Sequence, residues 1–255
     1  MPLSHADVVG TLRAAGCVFA EDEADLLVAE ASTPAELAAM VDRRAAGTPL
    51  EYVLGWAAFR GLRIAIEPGV FVPRRRTEAL VAEAAVRTRP GSIVVDLCCG
   101  SGALGAALAA EAGPVELHEA DVDPAAVACA RRNVPGRVYE GDLYDALPGG
   151  LRGRVATLLA NVPYVPTGEV ALLPAEARDH EARVSLDGGA GGLEVLRRVS
   201  AGAAAWLAPG GALYCETSER QAAEAAAVFA RDGLDPEVVT DDELGATIVI
   251  GTRPA

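Results

Sequence analysis

The fold is decided by residues 94–105, which read VVDLCCGSGALG. An apolar strand ends at Asp96, a glycine-rich turn follows, and a helix rich in alanine and leucine begins. Gly100 and Gly102 let the backbone approach a ligand closely, and Gly105 permits tight packing of the helix. Because the pattern Gly-x-Gly-x-x-Gly is weak evidence alone, the surrounding sequence must decide its meaning.

Outward from this turn, apolar strands alternate with helices. Strands are predicted at 92–97, 115–120, 155–160 and 211–216, near Val138, and near 236–240 and 246–251. Helices are predicted at 77–88, from the glycine-rich turn to 112, and at 124–133, 192–207 and 219–232. Strands separated by helices of this length predict an α/β fold with a mostly parallel, doubly wound sheet.

The first part of the chain has a different pattern. Helix signals occur three times between residues 4 and 47, and Ser4 is a suitable cap for the first of these helices. Residues 56–72 contain β-forming side chains around a glycine, which is typical of a hairpin. The predicted organisation is a helical domain at 1–55, a β-hairpin connector at 56–75 and an α/β domain at 76–255.

Composition excludes several classes of protein. The chain has 255 residues and a formal net charge of −14, which disfavours stable, sequence-independent binding of nucleic acid. It has no leader pattern and no apolar run long enough to span a membrane, so we expect a cytoplasmic protein without a membrane partner. The five cysteines form no Cys-x-x-Cys pair, so no metal site is predicted. No motif specifies an oligomeric state.

A carboxylate ends the next predicted strand. Asp121 lies 25 residues after Asp96, near the spacing expected for a carboxylate that accepts hydrogen bonds from ribose hydroxyls. This predicts a ligand that contains adenosine, and both NAD and S-adenosylmethionine suit such a crevice. The alternative is that Asp121 and Asp123 only cap the helix that starts at Pro124, and both roles can hold together.

Residues 158–164, which read LLANVPY, distinguish between these ligands. Asn161 ends an apolar strand and precedes a proline-stiffened turn and an aromatic ring. Asn161 Oδ1 and the Val162 carbonyl can accept the two N–H bonds of a planar amide or aromatic amine, which directs its lone pair at an electrophilic methyl group. Tyr164 can stack on that planar group. The alternative is a strand-end asparagine that satisfies a turn, followed by a packing tyrosine.

With these residues in view, the chain resembles the PrmC/HemK family of glutamine N(5)-methyltransferases, which modify the GGQ motif of peptide chain release factors. The resemblance covers most of the chain after about residue 48. Four segments carry it in the right order: 73–78 resembles P-R-P-[DE]-T-E, 96–102 resembles D-x-G-x-G-x-G, 161–164 resembles N-P-P-Y, and 181–189 resembles E-P-R-L-A-L-x-G-G.

The resemblance implies a Rossmann-like methyltransferase sheet of seven strands with an antiparallel last strand, together with a helical N-terminal domain that recruits the substrate. It implies S-adenosylmethionine as cofactor and a glutamine-bearing protein as substrate. The predicted catalytic group is Asn161, Val162, Pro163 and Tyr164. The predicted cofactor contacts are Asp96, Cys98, Gly100, Ser101, Gly102, Asp121, Val122, Asp142, Leu143 and Asn161.

The chain also departs from the family pattern. Val162 replaces the first proline of N-P-P-Y, Cys98 stands where a glycine is usual, and Arg75 and Arg76 replace a proline and an acidic residue. These departures favour a divergent paralogue that acts on a release factor or another translation protein. Methylation of an adenine amino group in RNA or DNA is one alternative, and a non-catalytic cofactor-binding module is another. The arginine run 74–76 can meet an acidic partner or form a solvated turn.

Overall fold

The computed structural model describes residues 3–255, so the first two residues of the predicted N-terminal domain lie outside the described part. Four helices come first: α1 (His5–Ala14), α2 (Ala20–Glu30), α3 (Pro34–Ala45) and α4 (Leu50–Leu54). An antiparallel hairpin of β1 (Trp56–Phe59) and β2 (Leu62–Ala65) follows. The short helix α4 is an addition to the three helices that the sequence predicted.

Local signals explain where the first helices begin. The Ser4 side chain accepts a hydrogen bond from the backbone N–H of Asp7, and the Asp7 carboxylate accepts one from the backbone N–H of Ser4. The Thr33 side chain caps α3 by accepting a hydrogen bond from the backbone N–H of Glu36, and a proline occupies the first helical position. Leu12 and Leu27 are fully buried in a small apolar cluster between these helices. The N-terminal helices therefore have a core of their own.

The rest of the chain is the predicted α/β unit. Its helices are α5 (Glu78–Arg87), α6 (Ala103–Ala112), α7 (Pro124–Asn133), α8 (Ala175–His180), α9 (Glu194–Trp206) and α10 (Glu219–Arg231). Its strands are β3 (Ile93–Leu97), β4 (Glu116–Asp121), β5 (Arg137–Glu140), β6 (Val155–Ala160), β7 (Leu207–Thr217), β8 (Asp235–Asp241) and β9 (Ala246–Thr252). The strand order is β5-β4-β3-β6-β7-β9-β8, and β9 is antiparallel to both neighbours. The predicted fold class is confirmed.

The topology places a crevice above the middle of the sheet. Strand β3 is buried along its whole length, and apolar clusters cover the sheet on both faces. The chain runs from β3 to β4 and β5 on one side, then crosses to β6 on the other side of β3. Because the loops after β3 and β6 leave in opposite directions, they open a ligand crevice between them. Within residues 3–255, no helix combines the length and apolar character needed to cross a bilayer.

The predicted start of β7 differs from the structure. We expected a helix to 207 and a strand from 211, but α9 ends at Trp206 and β7 begins at Leu207. The strand starts early because Leu207 pairs with Val155 of β6, and Gly210 and Gly211 then exchange backbone hydrogen bonds with Arg253 (2.9 and 2.8 Å). This pairing joins distant parts of the chain, so the local glycine and proline signals did not reveal it.

Candidate active site

A cavity of about 420 Å³ opens where the loops after β3, β4, β5 and β6 meet. Every predicted catalytic residue, from 161 to 164, lies in its wall. The predicted cofactor contacts also lie there, with the exception of Asp96 and Gly102, which are not part of the wall. The sequence motifs from four separate loops therefore meet at one site.

The loop after β3 has a strained backbone. Gly100 has a φ of 55° and Cys98 has a φ of 56°, which is the left-handed region that favours glycine. Cys98 thus keeps the conformation that a glycine would adopt there, at a cost of about 1 kcal/mol or more. Leu143, on the loop after β5, is also left-handed, with a φ of 49°. Both strained side chains lie in the cavity wall, so the strain is concentrated at the site.

Asp121 connects two loops of the cavity. Its Oδ2 accepts a hydrogen bond from Gly100 N–H (2.9 Å), and its Oδ1 accepts one from Asp123 N–H (2.9 Å). Asp123 caps α7 through the backbone N–H of Ala125 (2.9 Å), so Asp123 forms the cap and Asp121 binds the glycine-rich loop. Burial raises the pKa of Asp121, and these backbone N–H groups oppose that effect.

A second pair of acids lies behind the loop. Asp96 on β3 and Glu119 on β4 are register partners, with exposed fractions of 1% and 0%. Burial raises the pKa of Asp96 to about 8, and it raises the pKa of Glu119 well above its usual value. Asp96 Oδ2 accepts a hydrogen bond from Gly105 N–H (3.2 Å), whereas Glu119 has no partner among residues 3–255. The sequence analysis did not identify Glu119, because this residue belongs to no motif and lies in a strand that begins with a charged residue.

The loop after β6 presents two free acceptors. The Asn161 side chain is half-buried in the cavity wall and makes no hydrogen bond within residues 3–255. The Val162 carbonyl has no backbone partner in the same range. The Val162 side chain is 1% exposed and packs in the apolar core. Its burial therefore holds the main chain in place at the position where the family pattern has a proline. This arrangement can accept the two N–H bonds of a planar nitrogen group.

Tyr164 is held by two residues that the sequence did not connect to it. Its hydroxyl donates to Glu216 Oε1 (2.7 Å) and accepts from Arg76 Nη2 (2.7 Å). Arg76 Nε also donates to Glu216 Oε1 (2.9 Å). Burial raises the pKa of Tyr164, so its hydroxyl stays protonated and keeps donating to Glu216.

The arginine run 74–76 divides into two paired residues and one free residue. Arg74 Nη2 donates to both oxygens of Glu181, at 2.7 and 2.6 Å, which joins two of the segments that carry the family resemblance. Arg75 is exposed and makes no ion pair within the described residues. Arg198, which also lines the cavity, pairs with Asp142 (2.6 Å). Every arginine in the wall is therefore paired with a carboxylate.

The N-terminal helices reach the cavity through one ion-pair network. Arg44 on α3 donates to Glu23 through Nε (2.6 Å) and to Glu176 through Nη1 (2.7 Å). Glu176 begins the first turn of α8 and lies in the cavity wall. The pair joins positions 132 residues apart, so no local pattern could predict it.

The cavity fits the predicted cofactor. The Asp121 carboxylate ends β4 at its edge, where it can accept hydrogen bonds from ribose hydroxyls. A Cβ atom built on Gly100 would have only Phe71 Cβ nearby, at 4.0 Å, so the backbone there faces open space. Val122 is 51% exposed although it is apolar, and with Leu143 it offers an apolar surface for a flat ring.

Comparisons with known proteins show what this chain is similar to. Residues 61–187 match the family model described as Methyltransferase small domain. The release factor glutamine methyltransferase of Geobacter sulfurreducens is 35% identical over 86% of this chain and 79% of its own length. The 4-amino-L-phenylalanine/4-methylamino-L-phenylalanine methyltransferase of Streptomyces pristinaespiralis is also 35% identical, over 87% of this chain and 78% of its own.

A solved structure supports the fold. The crystal structure of a methyltransferase from Pyrococcus furiosus superposes with a TM-score of 0.58 at 16% identity and covers 76% of this chain and 90% of that one. The sequence predicted an enzyme with S-adenosylmethionine as cofactor, and the family of the relatives confirms both. The chain belongs to the release factor glutamine methyltransferase family, whose members are S-adenosylmethionine-dependent enzymes.

Proposed function

We propose that this protein methylates the side-chain amide nitrogen of a glutamine in a protein, and that this protein is a peptide chain release factor. The main support is the pair of free acceptors at Asn161 and Val162, beside the glycine-rich loop. A primary amide has two N–H groups, which match these two oxygens. The name of the Geobacter sulfurreducens relative agrees with a release factor as substrate. A release factor substrate places the reaction in the cytoplasm.

The mechanism depends on alignment. An amide nitrogen is a weak nucleophile because its lone pair is delocalised into the carbonyl group. Asn161 Oδ1 and the Val162 carbonyl hold both N–H bonds, so the lone pair is directed across the cavity. S-adenosylmethionine supplies, when bound, an electrophilic methyl carbon on a sulfonium sulfur. The two oxygens would also stabilise the positive charge that develops as the nitrogen gains the methyl group. The nitrogen would then lose one N–H proton to water, because a cationic amide nitrogen is strongly acidic.

Residues in the wall complete the acceptor pocket. Asp121, with Cys98 and Gly100, would hold the cofactor on one side of the reacting nitrogen. The Tyr164 ring, fixed through its hydroxyl, would flank the planar amide on the other. Because Glu216 and Arg76 fix the ring beforehand, the pocket needs little rearrangement when the amide enters.

The charges in the wall favour a neutral substrate group. The arginines of the wall are compensated by Glu181, Glu216 and Asp142, so an anion meets no unpaired cation there. The chain as a whole carries a net charge of −14. A nucleic acid would bring phosphates to this acidic surface, and a free amino acid would bring a carboxylate. A glutamine within a protein brings neither group to the cavity.

The N-terminal helical domain is a reasonable place for the protein substrate to dock. Val18 and Phe19, between α1 and α2, are 83% and 67% exposed although they are apolar. Through Arg44 and Glu176 the same domain contacts the wall of the cavity. We infer that it recruits the substrate and that the network joins recruitment to the pocket.

The direct test is methylation of the host's own release factors. The purified protein would be incubated with each release factor and labelled S-adenosylmethionine, and the modified peptide would be sequenced by mass spectrometry. We expect one methylated glutamine, formed about 10²-fold more slowly when the Asn161→Ala variant is used in place of the wild-type enzyme. Parallel reactions would contain host RNA, host DNA or 4-amino-L-phenylalanine. Label in one of these and none in glutamine would reject the proposal in favour of an aromatic amino group.

A further inference from the structure

Arg76 occupies an unusual position for an arginine in a cavity wall. It lies at the rim, with 45% of its side chain exposed. It also contacts Tyr164 directly, in the segment 161–164 that we call the acceptor segment. Arg74 and Arg198 also reach the wall, but they pair with Glu181 and Asp142, away from the acceptor segment. Arg76 is thus the arginine of the wall that can contact a substrate beside its reacting amide.

Only some N–H groups of the Arg76 guanidinium have hydrogen-bond partners within residues 3–255. Nε donates to Glu216 Oε1 (2.9 Å) and Nη2 donates to the Tyr164 hydroxyl (2.7 Å), while Nη1 has no partner within residues 3–255. Because Glu216 is 1% exposed and its side chain is surrounded by protein, it holds the Arg76 guanidinium in place. The unused N–H groups of Nη1 are therefore held in place for another acceptor.

The charge of Arg76 decides which acceptor is suitable. Glu216 already compensates it, so the pair is neutral as a whole and an added anion gains little. A neutral carbonyl oxygen still gains a hydrogen bond from a charged donor. In a protein substrate, the carbonyls nearest the reacting amide are those of the main chain on either side of the glutamine.

We propose that Arg76 is a specificity-determining residue that donates hydrogen bonds from Nη1 to a main-chain carbonyl adjacent to the reactive glutamine. This inference rests on the proposed function, because it needs a peptide substrate. The contact is remote from the reacting nitrogen, so it strengthens substrate binding before and during the reaction alike. It also favours a glutamine within a peptide over free glutamine, which lacks peptide carbonyls.

The test uses a synthetic peptide that contains Gly-Gly-Gln, with two analogues in which the carbonyl before or after the glutamine is reduced to CH2. With the wild-type enzyme, we expect one analogue to lose about 10-fold in kcat/KM. Arg76→Leu should raise KM for the unmodified peptide by about 10-fold with little change in kcat. It should then show no further loss with that analogue, because the partner of the carbonyl is already gone.

Matched variants separate this role from a structural one. Arg75→Ala removes an exposed neighbouring arginine and should leave KM unchanged. Arg76→Lys should give a KM between those of the wild type and Arg76→Leu. The inference is overturned if the losses from Arg76→Leu and from each analogue multiply, or if Arg75→Ala reproduces the effect of Arg76→Leu. Failure of the wild-type enzyme on both peptide and release factor would instead reject the proposed function.

Discussion

Glu119 provides a test of the buried acids that requires no substrate. It is fully buried, it has no hydrogen-bond partner within residues 3–255, and it faces Asp96 on the neighbouring strand. Since burial raises its pKa, the folded protein keeps the Glu119 proton at a pH where the unfolded chain has lost it. The stability from this proton is complete below the pKa of an unfolded glutamic acid and declines as pH rises toward the folded pKa.

The magnitude follows from proton linkage. When the folded state binds one proton more than the unfolded state, the free energy of unfolding falls by about 1.4 kcal/mol for each unit that the pH rises. Between about pH 6 and about pH 8, the raised pKa of Glu119 should therefore lower the free energy of unfolding as pH rises, by at most about 1.4 kcal/mol for each pH unit. Asp96, whose pKa is raised to about 8 by burial, adds a loss in the same direction. The folded protein should thus be more stable at the lower end of this range.

The assay is urea unfolding at several pH values, followed by the fluorescence of the buried Trp206. Glu119→Gln keeps the shape of the side chain but does not titrate, so its stability should fall less steeply with pH than that of the wild type. Glu140→Gln, an exposed strand-end glutamate on β5, is the matched control and should leave the slope unchanged. An equal pH slope in wild type and Glu119→Gln would refute the reasoning.

Four further changes test other parts of the structure. Asn161→Ala should lower kcat by about 10²-fold while calorimetry shows cofactor affinity nearly unchanged, and equal turnover would contradict its role. Asp121→Ala should weaken cofactor binding by about 10-fold or more in calorimetry, because it removes a charged acceptor. Gly105→Ala should destabilise the fold by about 2 kcal/mol in urea, since the added methyl group overlaps the Glu119 carboxylate. Arg44→Met should lower the free energy of unfolding by about 3 kcal/mol in the same assay, because it leaves the buried Glu23 carboxylate unpaired. A smaller loss than that of an exposed arginine variant would contradict this.

The sequence predicted most elements of the α/β unit because their signals are local. Helix α7 starts at Pro124 after the Asp123 cap, and β6 covers the apolar run 155–160 as expected. The start of β7 depends on pairing with Val155 and Arg253, which no local signal shows. Local chemistry therefore located these elements, and contacts between distant residues decided where β7 begins.

The same division applies to the site. The acceptors at Asn161 and Val162 and the carboxylate of Asp121 belong to short motifs, so the sequence could place them in one crevice. The partners of Arg74 and Arg76 are 107 and 140 residues away, at Glu181 and Glu216. A run of three arginines indicates charge but carries no information about which carboxylate each one meets. The positions of these side chains are set by the fold.

The glycine-rich turn shows that one motif can serve two requirements. From the sequence, Gly100 and Gly102 both favour a close ligand, but only Gly100 lies in the cavity wall. A Cβ atom on Gly102 would lie 2.7 Å from Glu119 Oε2, and one on Gly105 would overlap the same carboxylate. Both glycines thus leave room for a buried acid. The pattern Gly-x-Gly-x-x-Gly in this chain therefore reports the packing of Glu119 as well as a ligand, and replacing Glu119 by a smaller residue should make alanine at Gly105 tolerable.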